Sequence, residues 1–241
     1  MLFRSLGFAA AALSLLASLG APSLVLPFEM LEDQALFRVP RAALLLSGLL
    51  VGRSVVSTVD LPQIRKPEVL FLVTLLAFLC DLLILSRHAG LSVILLVMCS
   101  WVGIFLSGLA YRGRREGEAV LKFWMQASIS LALGFGSILL LTLIAGGAHF
   151  SVIGEYVRSQ AAFSPQNLMV VGGLFLPFFM AGGFFPFHFV CVDRDHGVPW
   201  AMQTLLSVTF QGAVAVAAWQ ARVTAAMASG SRAARAAGRI P

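Results

Sequence analysis

The feature that most constrains this chain is a series of apolar runs, each near the length of a bilayer crossing, parted by short gaps that hold most of the charge. A spanning helix needs about 20 mostly apolar residues. The runs are Leu6 to Leu26, Ala42 to Val59, Val69 to Leu85, Leu91 to Tyr111, Ala119 to Ile144, Leu168 to Val192, and Trp200 to about Ala221. Only 12% of the residues are charged and 59% are hydrophobic, whereas a soluble domain is about 25% charged. A soluble fold has no interior for so much apolar surface, so the bilayer is the solvent. The sequence therefore predicts an all-α integral membrane protein of about seven transmembrane helices. Nothing in it points to catalysis by this chain alone.

The gaps set the orientation. With the N-terminus on the first face, that face carries Arg4, Arg65, Lys66, Arg112, Arg114, Arg115 and Arg194. The second face carries Arg38, Arg41, Arg87 and Arg158, and the C-terminal stretch adds Arg222, Arg232, Arg235 and Arg239. Leaving that stretch aside, the positive-inside rule puts the first face in the cytoplasm or matrix. The net charge of +6 does not mark nucleic acid, because the basic residues lie in separate gaps rather than on one face. Arg53 interrupts the second run and is expected to face protein or snorkel. The gap from Ala145 to Asn167 reads as a polar connection.

Ionisable groups inside a membrane are costly and so draw attention. Asp81 lies well inside the third run, as a proton-relay carboxylate or a carboxyl hydrogen-bonded to a neighbouring helix. Lys122 opens the fifth run, as a relay lysine or a snorkelling one. His188 follows Pro186 and Phe187 near the end of the sixth, as a proton carrier or a structural histidine. The turn Asp193-Arg194-Asp195-His196 is a poor metal site, with no further ligand elsewhere. Cys80, Cys99 and Cys191 share no metal-ligand spacing and read as small buried hydrophobes. No metal site and no catalytic residue is expected.

Pro186-Phe187-His188, followed by Asp193, Gly197 and Pro199, resembles the "PFHxWxPDxYxGAP" signature of the antiporter-like subunits of respiratory complex I, most closely subunit N (NADH dehydrogenase subunit 2 in mitochondria). Val190, Val192 and Asp195 stand where that signature has Trp, Pro and Tyr. Upstream, Glu118-Ala119-Val120-Leu121-Lys122-Phe123 looks like the family's "EAxxKY" helix start, and Arg65-Lys66-Pro67-Glu68 is similar to the opening of its fourth helix. Together the likeness covers about Arg65 to Trp219. The family is built on inverted repeats of five helices each. The resemblance implies two N-terminal helices in residues 1–64, one complete repeat in 65–228 and an Ala/Arg/Gly tail in 229–241.

At the family's proton-handling positions the chain departs from the pattern. Val97 stands where the resemblance implies a glutamate, Ala181 where it implies the central lysine, and Gln211 where it implies the lysine of the next helix. Lys122 is retained. A proton relay needs titratable groups or water through the apolar core, so the half-channel is expected to have lost its pumping role. The expected helix break, at Pro177 and Pro186, is kept. The resemblance thus implies a scaffold in the membrane arm of an NADH:ubiquinone oxidoreductase. Other membrane-arm subunits and lipid would be its partners, and a separate chain would carry the second repeat unless that repeat is deleted. FMN, iron–sulfur clusters and quinone would belong to the complex, with no cofactor on this chain. The alternative is a subunit of a related cation/proton antiporter or membrane-bound hydrogenase. The acid-free, Ala- and Ser-rich start after Arg4 favours the mitochondrial inner membrane over a bacterial one.

Overall fold

A computed structural model of the chain describes residues 66–109, 114–159, 165–184, 187–188 and 200–222, together with 39, 42–48, 50 and 53–54. The first expected span, part of the second (49, 51–52 and 55–59), and the tail lie outside the described residues. The helices are α1 (Lys66–Leu85), α2 (Ala89–Leu109), α3 (Arg114–Ala145), α4 (Phe150–Ser159), α5 (Pro165–Gly182) and α6 (Trp200–Leu205). α6 runs without interruption into a π-helix, Leu206–Gln211, and then into α-helix over 212–222. Residues 42–48 are also helical.

Three of the described helices are long and apolar enough to cross a bilayer: Glu68–Leu85, Ala89–Leu109 and Val120–Ala145, of 18, 21 and 26 residues. At 1.5 Å per residue they match a hydrocarbon core of about 30 Å. The chain is an all-helical membrane protein, as its apolar runs predict.

Lipid tails are as apolar as leucine, so helices in a membrane associate through close packing rather than through hydrophobic burial. α2 packs between α1 and α3, and α3 runs along α5. Of the α2 span 72% is buried inside the fold, against 28% of the α3 span, which makes α2 the central helix and α3 an outer one. Gly134 shows how tightly the elements meet. A Cβ there would lie 2.9 Å from Pro177 Cγ of α5 and 2.9 Å from Val93 Cγ1 of α2. On the other side, a Cβ on Gly103 of α2 would come within 3.3 Å of Leu206 and of Phe123. Helix 42–48 seats on the π-helical region, with Gly48 against Thr209 and Leu44 against Gly212.

The connection after α3 holds an element that the sequence reading passed over. α3 ends at Gly146, whose φ of 77° is the left-handed conformation open to glycine, and the Gly146 N–H returns to the Thr142 carbonyl at 3.1 Å. α4 follows almost at once. Phe150, Ile153 and Gly154 are buried and Val157 packs on the same core, while Glu155 and Tyr156 are half-buried. That i, i+3, i+4, i+7 stripe makes α4 a short amphipathic helix lying on the bundle. The expected polar connection therefore contains ten residues of helix.

Candidate functional site

The sixth span ends early, inside the bundle. α5 continues through Pro177 as helix and stops at Gly182. Gly183 has φ 66°. Its N–H bonds the Met180 carbonyl at 3.3 Å, and the Phe184 N–H bonds the Phe179 carbonyl at 3.0 Å. This pair of bonds is a Schellman cap, and the ring contact that usually accompanies it is present: Phe179 and Phe184 meet edge to face at 5.8 Å. Backbone groups freed within a membrane must find partners in the protein. The Met180 carbonyl finds a second one, the Gln126 side-chain amide, which donates to it from α3. One turn further along α3, the Ser130 hydroxyl lies 3.5 Å from Met180 Sδ. The break is therefore closed by neutral groups. Of the two prolines expected to make it, Pro177 lies in continuous helix and Pro186 lies outside the described residues. Gly182-Gly183 ends the helix.

The residues expected to move protons are not brought together. Asp81 is buried at 4% exposure, four residues from the end of α1. Lys122 is exposed, about two turns from the start of α3. The ends of α1 and α3 meet at one face, so the Lys122 position is about 35 Å of helix from the face that Asp81 adjoins. Both residues are engaged with neighbouring groups. His188 is exposed just past the break. Val97 and Ala181 are buried at 8% and 5% exposure. Gln211 is half-buried and closes the π-helix. Cys80 and Cys99 are buried and face each other across α1 and α2, with Sγ atoms 3.9 Å apart. Cys191 and the Asp193-to-His196 turn are outside the described residues. No group of three or more His, Cys, Asp or Glu among the described residues could hold a metal.

Sequence reasoning passed over two features. Gln126 sits one turn after Lys122 in an apolar run, and a buried amide at that place is itself a signal. The second is a pairing of loops. His88, before α2, bridges antiparallel to His149, before α4. The Ala89 N–H bonds the Ala148 carbonyl at 2.8 Å and the Phe150 N–H bonds the Arg87 carbonyl at 3.1 Å. The imidazoles meet edge to face with centroids 5.0 Å apart. Desolvation, then the proximity of His149, holds His88 below its ordinary pKa of 6.5.

No protein-family model and no curated protein matches the sequence. Among solved structures, respiratory complex I from Thermus thermophilus with bound aureothin contains a chain that superposes with a TM-score of 0.72. The fold is that of a complex I chain. The match covers 90% of this chain and 47% of that chain, at 20% identity. This chain thus spans about half the length of its complex I neighbour. At that identity the likeness is one of backbone arrangement.

Proposed function

We propose that the chain is a membrane-arm subunit of a complex I-type NADH:quinone oxidoreductase, standing in the position of subunit N, and that it serves there as a scaffold whose proton path has lapsed. The observation that carries this reading is the neutral closure of the α5 break, by an amide, within a complex I-like fold. Where a relay would need groups that exchange protons, the break in α5 is closed by the Gln126 amide, and Val97 and Ala181 are buried apolar residues. A neutral amide holds a carbonyl in place without taking up or releasing a proton near neutral pH. Lys122, near the end of its helix, suits a snorkelling amine at the membrane surface. On this reading electron transfer, with its FMN, iron–sulfur clusters and quinone, belongs to other subunits.

The chain would lie among the other membrane-arm subunits. On this reading its membrane is the mitochondrial inner membrane or a bacterial inner membrane, the Ala- and Ser-rich, acid-free stretch after Arg4 favouring the first. The test is purification of the native assembly containing this chain, identification of its neighbours by mass spectrometry, and assay of NADH:quinone activity. Redox subunits are expected, with Lys122→Ala leaving proton translocation per electron pair unchanged. Recovery without redox subunits would sink the scaffold reading in favour of an antiporter. Reduced translocation in Lys122→Ala would show a working path.

A further inference from the structure

The loop pair at the α1–α2 and α3–α4 turns is built around two histidines that each begin a helix. The His88 carbonyl accepts the Ser92 N–H at 2.9 Å, and the His149 carbonyl accepts the Ile153 N–H at 3.0 Å. His88 also caps α2 with its ring, Nδ1 accepting the Leu91 N–H at 3.4 Å. Two helix N-termini, each with partial positive charge, thus converge where the two imidazoles touch. The backbone bonds on either side make this a non-hydrogen-bonded antiparallel pair, the kind in which side chains come closest.

From this geometry we propose that His88 and His149 form a pH-sensitive clip, closed while the His88 ring is neutral and released when His88 takes up a proton, which frees the start of α4 from the end of the α1–α2 hairpin. A proton on Nδ1 of His88 removes the acceptor that caps Leu91. A charge on the His88 ring stands at the N-terminus of α2, in edge-to-face contact with His149 at 5.0 Å. The other charged or titratable groups on the elements that meet here are Arg87 beside His88, Asp81 on α1, and Glu155 and Tyr156 on α4. Beside desolvation, it is the neighbouring His149 that lowers His88. Because the closed form keeps His88 below 6.5, the open form binds more protons as pH falls through that value. The clip is therefore secure above 6.5 and weakens below it. A metal fits the pair poorly. With Nδ1 accepting from Leu91, the neutral ring carries its proton on Nε2, the one nitrogen left for a ligand bond.

The test is hydrogen exchange, read by mass spectrometry on the full chain in its native assembly, across peptides covering 86–92 and 146–153. Rates are corrected for intrinsic pH dependence between about pH 8 and about pH 5. Protection of both peptides is expected to fall together as pH drops through 6.5. His149→Gln is expected to flatten the response at 86–92. Histidine-labelled NMR of the unaltered chain supplies a readout that needs no variant. Its four histidines should include one titrating below 6.5 in step with the loss of protection. Protection unchanged at the acid end, or a fall equally large in His149→Gln, would overturn the proposal.

Discussion

The sixth and seventh spans both leave regular α-geometry, and their hydrogen bonds come out differently. In α5 the chain stops, and the groups at the end are met: Gly183 and Phe184 cap the carbonyls of Met180 and Phe179, and Gln126 adds a bond from α3. In the seventh span the chain widens into six residues of π-helix without stopping. There the Thr209 hydroxyl oxygen, and further along the Gln220 amide oxygen, are buried without a hydrogen-bond partner. Packing accounts for the widening. Buried residues recur every four positions, at Leu205, Thr209, Ala213, Ala217 and Ala221, whereas α-geometry would turn such a stripe by about 40° per step. A π turn takes up an extra residue and keeps the stripe on the core. The break in α5 is a finished cap; the π segment is a packing compromise that leaves the Thr209 hydroxyl stranded.

The largest expected effect breaks the finished cap. Gly183→Val forces a β-branched residue to φ 66°, where even an unbranched L-residue costs about 1–2 kcal/mol. The cap should open or shift, with a fall in the thermal midpoint of the detergent-solubilised assembly. Gly183→Asn, a residue that tolerates the left-handed region, should recover much of the loss. Equal damage from Val and Asn would show that space, not φ, governs the position.

A smaller effect is expected at Gln126. Gln126→Leu keeps the volume and removes the donor to Met180, whose carbonyl retains the Gly183 bond at 3.3 Å. The loss should be about 1 kcal/mol, that of one net hydrogen bond. Gln126→Glu sharpens the comparison, since a carboxyl must be protonated to donate here. Its stability should therefore fall as pH rises, while the unaltered chain shows no such dependence at this position.

The contrast between the two spans also marks what the sequence could reveal. Apolar length located α1, α2 and α3, because burial in lipid leaves little choice but a helix. The sixth span advertised two kinds of breaker. Glycine prevailed over Pro177 because the proline ring packs at Gly134 within a continuing helix, while the Gly183 backbone adopts a turn. α4 escaped notice because Phe150, Ile153 and Val157 form a stripe on a helix only ten residues long, with Glu155 in its midst. The π-helix was illegible: Leu206 to Gln211 reads as ordinary apolar helix, and its widening is set by neighbours such as Gly48 and Leu206's contact with Gly103. His88 and His149 are 61 residues apart (149 − 88), and only the folded hairpins join them. The positions of Val97 and Ala181 could be judged from residue type, since neither can titrate wherever it lies.

The smallest effect carries the opposite sign. Thr209 and valine have nearly the same shape, and Thr209 Oγ1 is buried against Gly48 without a partner. Thr209→Val therefore removes an unsatisfied polar atom while keeping the packing, and an unmet buried group costs about 1–3 kcal/mol. The unfolded chain in a membrane also finds partners for its polar groups, which reduces the gain to about 0.5–1 kcal/mol. The variant should show a slightly raised thermal midpoint and unchanged cross-linking between helix 42–48 and the π segment. If Thr209→Val is destabilising instead, the hydroxyl is working, for instance by holding a water between the π-helix carbonyls and helix 42–48. The π segment would then be as complete as the α5 cap, and the contrast between the two spans would fall.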